Sequence, residues 1–252
     1  MNGHETHTSG FIHTNKEDIR YISWRSTPSY MQRRLLLPVL LVLLAKRAKS
    51  FHIAPDCASV LSAGRVHRER HFCSPALVSA LRRDLRELAP QFQPSTSFSS
   101  DGSQDNLRSA LTCRPKMESD AFDVLYEQLE ATRQQLEVML GRELSSGIEA
   151  TYVIYPPTSG HYKRHIDSIQ GVDESGSGRR AVSFICYLPD PDVPWTPSDG
   201  GQLRIYGEGA EYEDILPTSG SLVLFDSKRV WHEVMPTLRE RACLVGWFRE
   251  VA

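Results

Sequence analysis

The chain has 252 residues, of which 40% are hydrophobic, and this length and composition support one large globular domain or two small ones. The formal net charge of −2 is unevenly distributed, because residues 1–50 carry a net charge of +5 and residues 51–252 a net charge of −7. An acidic body argues against non-specific binding to nucleic acid, which depends on the neutralisation of phosphates by Lys and Arg.

Residues 31–50 have the layout of a secretory signal. A basic start, MQRR, is followed by the apolar run Leu35–Ala45, which is too short to span a bilayer as an ordinary transmembrane helix. Small residues then precede a possible cleavage site before Phe51. We therefore expect residues 1–50 to form a targeting or disordered segment, and the protein to reach the secretory pathway or an organelle lumen.

Other interpretations of this N-terminal segment stay open. Residues 1–30 are polar and lie outside the signal-like pattern, so they indicate either a start codon assigned too early or a cytosolic tail on an uncleaved signal anchor. Contact with a membrane is then either transient or made through that anchor. The apolar run is also compatible with a buried core helix, and the alternative location of the protein is the cytoplasm.

The cysteines are spaced without a CxxC pair or a zinc-finger pattern, so the sequence predicts no structural zinc site. An odd number of cysteines cannot be paired completely within one chain. In a secretory protein one disulfide could form among the three N-terminal cysteines, but the sequence does not select a pair. The five cysteines are Cys57, Cys73, Cys113, Cys186 and Cys243.

Residues 51–146 are expected to form a helical support region. Leucines at helical spacing and a Ser-Pro start predict an amphipathic helix over residues 74–92, and a second helix is predicted over residues 120–142. Between them, the stretch Pro94–Asp105 is rich in Ser, Asp and Gly and shows no periodicity, which indicates a mobile loop or a short linker.

From residue 147 to residue 252 the sequence consists of short β-rich runs separated by turn residues. Strands with this spacing over roughly a hundred residues are typical of a sandwich or a jelly roll. We predict a mainly β fold with flanking helices, in which a jelly-roll core is covered on one sheet by the N-terminal helices. Gly200 and Gly201 are interpreted as a strand entry with close backbone approach.

A histidine and an aspartate separated by one residue, His165 and Asp167, follow the strand-like run ATYVIYPP. Side chains at positions i and i+2 of an extended chain project from the same face, so the two could bind one metal ion. An isolated pair of this kind is more often a surface hydrogen bond or a turn. The pair by itself leaves both interpretations open.

His232 lies in a similar context, after a predicted strand and before a turn. Two histidines and one carboxylate occupy one face of an octahedral Fe(II) ion and leave three positions for exogenous ligands, as non-haem iron oxygenases require. A cysteine ligand would favour softer or structural sites, and no cysteine is close by in sequence. His165, Asp167 and His232 are therefore candidate iron ligands.

Arg241 begins the run RACLVGWF, nine residues after His232, and alternation places it on the same strand face as Trp247. A guanidinium inside a jelly roll is costly unless it meets an anion, which is either a ligand carboxylate or a protein acid in a structural ion pair. Tyr187, in the run AVSFICYL, projects from a face that could also point inward. It could donate its hydroxyl to the same anion, although such a tyrosine is more often only part of a core.

The sequence resembles the Fe(II)/2-oxoglutarate-dependent prolyl 4-hydroxylases, and most closely the hypoxia-inducible-factor prolyl hydroxylases. The resemblance covers about residues 147–252 and rests on five segments in order: YPPTSGHYKRHID, FICYLPD, GGQLRIY, GSLVLFDSKRVWHEVMP and RACLVGWF. Arg241 favours the oxygen-sensor branch, because collagen-type relatives usually carry lysine there. The N-terminal half is much less similar, and its segment Pro94–Asp105 could correspond to a mobile substrate lid.

The resemblance implies a double-stranded β-helix that binds iron and 2-oxoglutarate in its interior. The distal carboxylate of 2-oxoglutarate is then bound by Arg241 with Tyr187 beside it. The site residues that the resemblance implies are the iron ligands His165, Asp167 and His232, the cosubstrate-binding residues Arg241, Tyr187, Tyr155 and Trp247, and Arg180 near the substrate mouth.

The activity that the resemblance implies is hydroxylation of a prolyl residue in a peptide or protein, coupled to conversion of 2-oxoglutarate to succinate and carbon dioxide. Fe(II) is the implied cofactor, 2-oxoglutarate and O2 are the cosubstrates, and L-ascorbate keeps the iron reduced. One alternative is the same oxidation of another amino-acid side chain or a small metabolite. Another is a jelly-roll binding module without catalytic activity. Asp167 argues against iron halogenases, which need a vacant ligand position for halide.

Overall fold

The structure is a computed structural model, and it describes residues 52–95, 97–98, 104–105, 107–115, 119–168 and 178–251. The signal-like segment 31–50 lies outside these ranges, so its targeting role stays a prediction. Within the described ranges, no helix is both long and apolar enough to cross a bilayer.

Three α-helices precede the β-rich part of the described chain: α1, Cys57–Ser62; α2, Pro75–Glu87; and α3, Asp120–Leu140. The Ser74 side chain caps α2 by accepting a hydrogen bond from the Leu77 amide at 3.2 Å. Both helices predicted from the sequence are therefore confirmed, including the Ser-Pro start of the first.

The two predicted helices end differently. α2 stops at Glu87, earlier than predicted, and a 3-10 turn over Ala89–Gln91 follows. Pro90 has no N–H to continue the helical hydrogen bonding and its ring would clash with the preceding turn, which explains the early stop. α3 ends at Leu140, where Gly141 adopts the left-handed conformation with φ of 60°.

The strands of the described residues are short in the first half of the chain and longer in the second half. In chain order they are β1 (His67–Glu69), β2 (Gln93–Pro94), β3 (Ser97–Phe98), β4 (Gln104–Asp105), β5 (Arg108–Ser109), β6 (Leu111–Cys113), β7 (Leu144–Tyr155), β8 (His161–His165), β9 (Arg180–Tyr187), β10 (Leu203–Tyr206), β11 (Tyr212–Ile215), β12 (Leu222–Asp226), β13 (Trp231–Val234) and β14 (Arg241–Glu250).

Two antiparallel sheets form the core. The larger sheet has the order β1-β12-β9-β14-β7-β6-β2, and the smaller sheet has the order β11-β10-β13-β8-β5. β14 therefore lies between β9 and β7 in the middle of the larger sheet, while β8 and β13 are neighbours in the smaller one. This arrangement of two facing sheets confirms the predicted jelly roll.

Side chains of β14 alternate between two hydrophobic layers. Ala242, Leu244 and Phe248 pack in the layer that also contains the apolar faces of α2 and α3. Cys243 packs in the other layer, which lies between the two sheets. The helices thus cover the outer face of the larger sheet, as predicted, and the face of β14 that begins with Arg241 points into the barrel.

The stretch Pro94–Asp105 is described only in part, and its described residues include strands. These are one residue of β2 and the paired strands β3 and β4, where Ser97 lies opposite Asp105. Two-residue strands carry no periodicity that a sequence could show, because pairing with a neighbour defines them. Strands β1, β2, β5 and β6 join the main sheets, so the segment before residue 147 contributes strands as well as helices.

All five cysteines are buried free thiols. The disulfide that a secretory location would allow among the N-terminal cysteines is therefore not formed. The Sγ atoms of Cys73 and Cys186 lie 3.6 Å apart in the helix-covered layer, within hydrogen-bond distance, and do not form a disulfide.

Candidate active site

The three candidate iron ligands converge on one point. His165 ends β8 and His232 lies in β13, directly opposite it in the antiparallel pair. Asp167 follows two residues after β8, and its Oδ1 lies 3.6 Å from His165 Nε2 and 3.7 Å from His232 Nε2. One ligand atom from each residue lies within 4.8 Å of the others. The strand pairing therefore brings together two histidines that are 67 positions apart in sequence.

Both imidazole rings are oriented by their second nitrogen atom. His165 Nδ1 lies 2.7 Å from the Lys163 carbonyl oxygen, and His232 Nδ1 lies 3.1 Å from the Val230 carbonyl oxygen. A carbonyl oxygen only accepts, so each Nδ1 carries the hydrogen and donates it. With the hydrogen on Nδ1, the atom that faces Asp167 in each ring is Nε2, the nitrogen that can offer a lone pair to a metal.

The carboxylate of Asp167 is oriented by two buried serines. Ser183 Oγ donates to Asp167 Oδ2 at 2.6 Å, and it lies 2.8 Å from Ser227 Oγ. Because Ser183 has one hydroxyl hydrogen and gives it to the carboxylate, it must accept from Ser227. Both serines are fully buried. This serine relay engages Oδ2 and leaves Oδ1 free for a metal.

The electrostatic environment sets the protonation states that a metal requires. Burial raises the pKa of Asp167, but the nearby His232 and His165 and the hydrogen bond from Ser183 outweigh burial and hold this pKa well below its usual range. Burial lowers the pKa of His232 to about 4. At neutral pH the site therefore offers an ionised carboxylate and a neutral imidazole.

This donor set fits Fe(II). Two imidazole nitrogens and one carboxylate oxygen on adjacent elements match the arrangement that leaves coordination positions open on non-haem iron. The cluster contains no thiolate. Since the tautomers and the free carboxylate oxygen also point the lone pairs inward, these residues could hold the iron that the sequence pattern predicts.

Arg241 is buried in the barrel interior, with 1% of its surface exposed. Its Nε donates to the Gly201 carbonyl oxygen at 2.9 Å, one terminal nitrogen donates to the Tyr187 hydroxyl at 3.4 Å, and the other lies 3.5 Å from Cys243 Sγ. Among the residues whose side chains the structure describes, no Asp or Glu oxygen lies within 4 Å of this guanidinium. None of these acids therefore forms a structural ion pair with Arg241.

Two tyrosines lie beside the Arg241 guanidinium. Burial raises the pKa of Tyr187 to about 12, so its phenol is neutral at physiological pH. Because this oxygen accepts from Arg241, its hydrogen is available to an anion. Tyr155 lies opposite Arg241 in the pairing of β7 with β14, and the centroid of its ring is 4.9 Å from the guanidinium carbon. The structure therefore groups these three predicted residues.

The predicted close backbone approach occurs at Gly201. Its φ is +68°, and a Cβ at this position would lie 2.9 Å from Thr237 Oγ1 and 3.2 Å from Arg241 Cδ. A larger residue at position 201 would therefore push against Arg241, whose Nε donates a hydrogen bond to the Gly201 carbonyl oxygen.

Trp247 and Arg180 lie near the metal ligands and not beside Arg241. The Arg180 guanidinium stacks 3.5 Å from the centroid of the Trp247 ring, forms an ion pair with Glu149, and donates to the Asp167 carbonyl oxygen at 3.3 Å. Its charge is thus balanced within the protein. The contacts of Trp247 with cosubstrate and of Arg180 with substrate stay predictions.

Three further residues around the site were not found from the sequence: Ser227, Glu149 and Arg108. Glu149 shares a strand face with Tyr155 by alternation, and this signal could have identified it. Ser227 follows β12 in a turn and carries no pattern of its own. Arg108 belongs to β5, which has only two residues, so the sequence shows no alternation from which its inward orientation could be predicted.

Comparison with known proteins agrees with this geometry. A family model described as the 2OG-Fe(II) oxygenase superfamily matches residues 150–249. The chain is 34% identical over 118 residues to the prolyl 3,4-dihydroxylase OGFOD1 of Ostreococcus tauri, covering 42% of this chain and 21% of that protein. It is 27% identical over 153 residues to a hypoxia-inducible factor prolyl hydroxylase of Caenorhabditis elegans, covering 60% of this chain and 19% of that protein. The matches thus span about a fifth of the length of these curated relatives.

A solved structure gives a more complete match. The crystal structure of a Pseudomonas putida prolyl-4-hydroxylase is similar with a TM-score of 0.65 and 30% sequence identity, covering 78% of this chain and 98% of that chain. The similarity extends well beyond the metal-binding strands and confirms the fold predicted from the sequence. This chain belongs to the 2OG-Fe(II) oxygenase superfamily, in which its relatives are prolyl hydroxylases.

Proposed function

We propose that this protein is an Fe(II)- and 2-oxoglutarate-dependent dioxygenase that hydroxylates prolyl residues in a peptide or protein and releases succinate and carbon dioxide. The observation that carries the proposal is the presence, in one barrel, of three convergent ligands and a buried arginine that meets no counter-ion among the described side chains. A binding module without catalytic activity would have no use for both features together.

Each part of the pocket has a distinct task. Fe(II) bound by His165, Asp167 and His232 would supply the oxidising chemistry with O2 and 2-oxoglutarate. Arg241 binds the distal carboxylate of 2-oxoglutarate, and Tyr187 donates its hydroxyl hydrogen to the same group.

The surrounding residues orient these groups and exclude water. The serine relay holds Asp167 through Oδ2, while the Arg180 guanidinium holds the backbone of the same residue. The apolar layer between the sheets, which includes Val223, Phe225 and Val234, closes the barrel to bulk water. In such an environment each charged contact is worth more than it would be in water.

The prolyl substrate is supported by the names of the relatives, which are prolyl hydroxylases acting at one or two ring positions. We propose 4-hydroxyproline as the product and a flexible peptide as the acceptor. The segment Pro94–Asp105, of which only part is described, is proposed to close over that peptide.

We also propose that L-ascorbate maintains the reduced iron and that the protein acts in the secretory pathway or an organelle lumen. The basic and apolar pattern of residues 31–50 supports this location. Mature protein that starts at Phe51 and fractionates with a lumen is the expected result. Cytosolic protein that retains residue 1 would contradict the proposed location and leave the proposed chemistry intact.

The activity is tested with iron-loaded full-length protein, 2-oxoglutarate, ascorbate and a library of proline-containing peptides. We expect one added oxygen on proline, located by fragmentation in a mass spectrometer, and one succinate formed for each hydroxylation. Chromatography against 3- and 4-hydroxyproline standards assigns the ring position. Oxygen found only on other residues, or turnover only with a free metabolite, would reject the prolyl assignment.

The metal assignment is tested by His232→Ala, which removes one of three protein ligands. We expect loss of most Fe(II) affinity, measured by titration under anaerobic conditions, and loss of succinate formation, with the fold retained in circular dichroism. His161→Ala is the matched control, because this histidine also lies in β8 but its Nδ1 contacts the Ser159 carbonyl oxygen outside the ligand cluster. Normal succinate formation by His232→Ala would overturn the assignment.

A further inference from the structure

A second arginine inside the barrel, Arg108, has a buried donor nitrogen without a hydrogen-bond partner in the described structure. Arg108 lies in β5, opposite Tyr162 of β8, and is half-buried. Its Nε is buried and has no hydrogen-bond partner in the described structure. A desolvated donor of this kind costs free energy unless a ligand or water satisfies it.

Arg108 faces the same pocket as Arg241. The carbon of the Arg108 guanidinium lies 5.9 Å from the centroid of the Tyr155 ring, and that of Arg241 lies 4.9 Å from the same centroid. The two positive charges also act on one phenol: burial raises the pKa of Tyr155, and both Arg108 and Arg241 partly offset this rise. Tyr155 is therefore flanked by two cationic side chains.

Arg108 lies toward the metal ligands. Its guanidinium carbon is 4.8 Å from the centroid of the Tyr162 ring, and this ring stacks on His165 with 3.6 Å between the centroids. Arg241, in contrast, contacts Tyr187 and Gly201. One guanidinium thus lies near the iron ligands and the other at the opposite part of the pocket.

The charges of the pocket match a small dicarboxylate. Among the residues whose side chains the structure describes, which do not include Asp105, no Asp or Glu oxygen lies within 4 Å of either guanidinium. A single guanidinium satisfies one carboxylate by a two-point contact, so a second one addresses a different anionic group.

We propose that Arg108 binds the carboxylate of the 2-oxo acid that Arg241 does not bind, and so acts as a second guanidinium contact for the cosubstrate. The inference rests on the proposed function and adds to it a residue that recognises the metal-proximal end of 2-oxoglutarate.

Two probes separate the ends of the cosubstrate. 2-Oxoglutarate carries both carboxylates, whereas 2-oxovalerate keeps the 2-oxo acid end and lacks the distal carboxylate. Both are titrated calorimetrically into full-length Mn(II)-loaded protein without O2, so the readout is affinity and not turnover. We expect Arg108→Gln to weaken both probes by on the order of 10- to 100-fold, as for loss of a charge-assisted hydrogen bond. Arg241→Gln should weaken 2-oxoglutarate and leave 2-oxovalerate nearly unchanged.

Controls keep the test specific. Arg204→Gln removes the same charge on the smaller sheet, where Arg204 pairs with Asp214 at 2.8 Å, and should change neither affinity. Arg108→Lys keeps the charge without the two-point fork and should recover part of the affinity, which also guards against a folding defect in the Gln variant.

The outcomes are distinguishable. Unchanged affinity of Arg108→Gln for 2-oxoglutarate overturns the inference and leaves the proposed function standing. A change confined to the apparent KM of the peptide also overturns it, and assigns Arg108 to the acceptor. Absence of 2-oxoglutarate binding to the metal-loaded wild-type protein overturns the proposed function itself.

Discussion

Both ends of β14 carry a buried arginine, and the two have different kinds of partner. Arg249 is 5% exposed and donates to Glu149 at 2.8 Å, whereas Arg241 is 1% exposed and meets a carbonyl, a phenol and a thiol. Residue type, strand and burial are the same at both positions. The difference teaches that the partner of a buried charge, and not its burial, separates a structural arginine from one prepared for a ligand.

The largest effect on stability is expected from Glu149→Gln. This carboxylate pairs with Arg180 and Arg249, and its loss leaves two poorly solvated guanidiniums without a counter-ion. We expect the free energy of unfolding to fall by about 3 kcal/mol, measured by denaturant titration. Asp214→Asn is the control, because it breaks a more exposed pair with Arg204 and should cost less than about 1 kcal/mol. Equal costs would remove the distinction between the two kinds of pair.

At the other end of the strand, Arg241→Gln should affect the ligand and not the fold. The affinity for 2-oxoglutarate should fall by on the order of 100-fold, because a buried carboxylate loses a charge-assisted two-point partner. The free energy of unfolding should change little, since no carboxylate among the described side chains loses its partner. A loss of stability as large as that of Glu149→Gln, with unchanged affinity, would make Arg241 a structural residue.

A smaller effect is expected at the serine relay. Ser183→Ala frees Asp167 Oδ2, so the carboxylate can rotate or bind the metal through both oxygens. We expect Fe(II) affinity to fall by about 10-fold, and the absorption spectrum of the Co(II)-substituted protein to change, because such partners orient metal ligands. Ser183→Thr keeps the hydroxyl and should restore the spectrum. Ser221→Ala, a buried serine that donates to the Thr218 carbonyl oxygen, is the control.

The smallest effect is expected from Tyr187→Phe, which removes one uncharged donor to the cosubstrate carboxylate and keeps the ring. The apparent KM for 2-oxoglutarate should rise several-fold, as for a net contribution of about 1 kcal/mol. Leu203, in the same apolar layer, offers a control: Leu203→Met should leave this KM unchanged. A loss in Tyr187→Phe equal to that in Arg241→Gln would mean that the phenol carries the binding.

The sequence was sufficient for those site residues that follow strand alternation or a recognisable spacing. His165, Asp167, His232 and Arg241 fall into this class, because each lies in or beside a strand of the β-rich half with a readable inward face. Alternation also predicted which residues of β14 face the helices.

Residues defined by long-range pairing were not predictable in this way. Alternation shows that a side chain points inward, but it does not show which carboxylate meets it. Arg180 and Glu149 are 31 residues apart and belong to β9 and β7, which are not neighbours, since β14 lies between them. The resemblance therefore placed Arg180 near the substrate mouth without indicating its partner Glu149. The inward orientation of Arg108 was not predictable, because its strand has two residues and is too short to show any periodicity.

The place of β14 in its sheet has a consequence for amide hydrogen exchange. This strand is hydrogen-bonded to β7 on one side and β9 on the other, whereas β5 is a two-residue strand at the edge of the smaller sheet. Amides of β14 should exchange only through global unfolding, and those of β5 through local opening at much lower free energy. Deuterium uptake should therefore label the Arg108 side of the pocket long before the Arg241 side, and addition of 2-oxoglutarate should slow uptake at β5 while leaving β14 as it was.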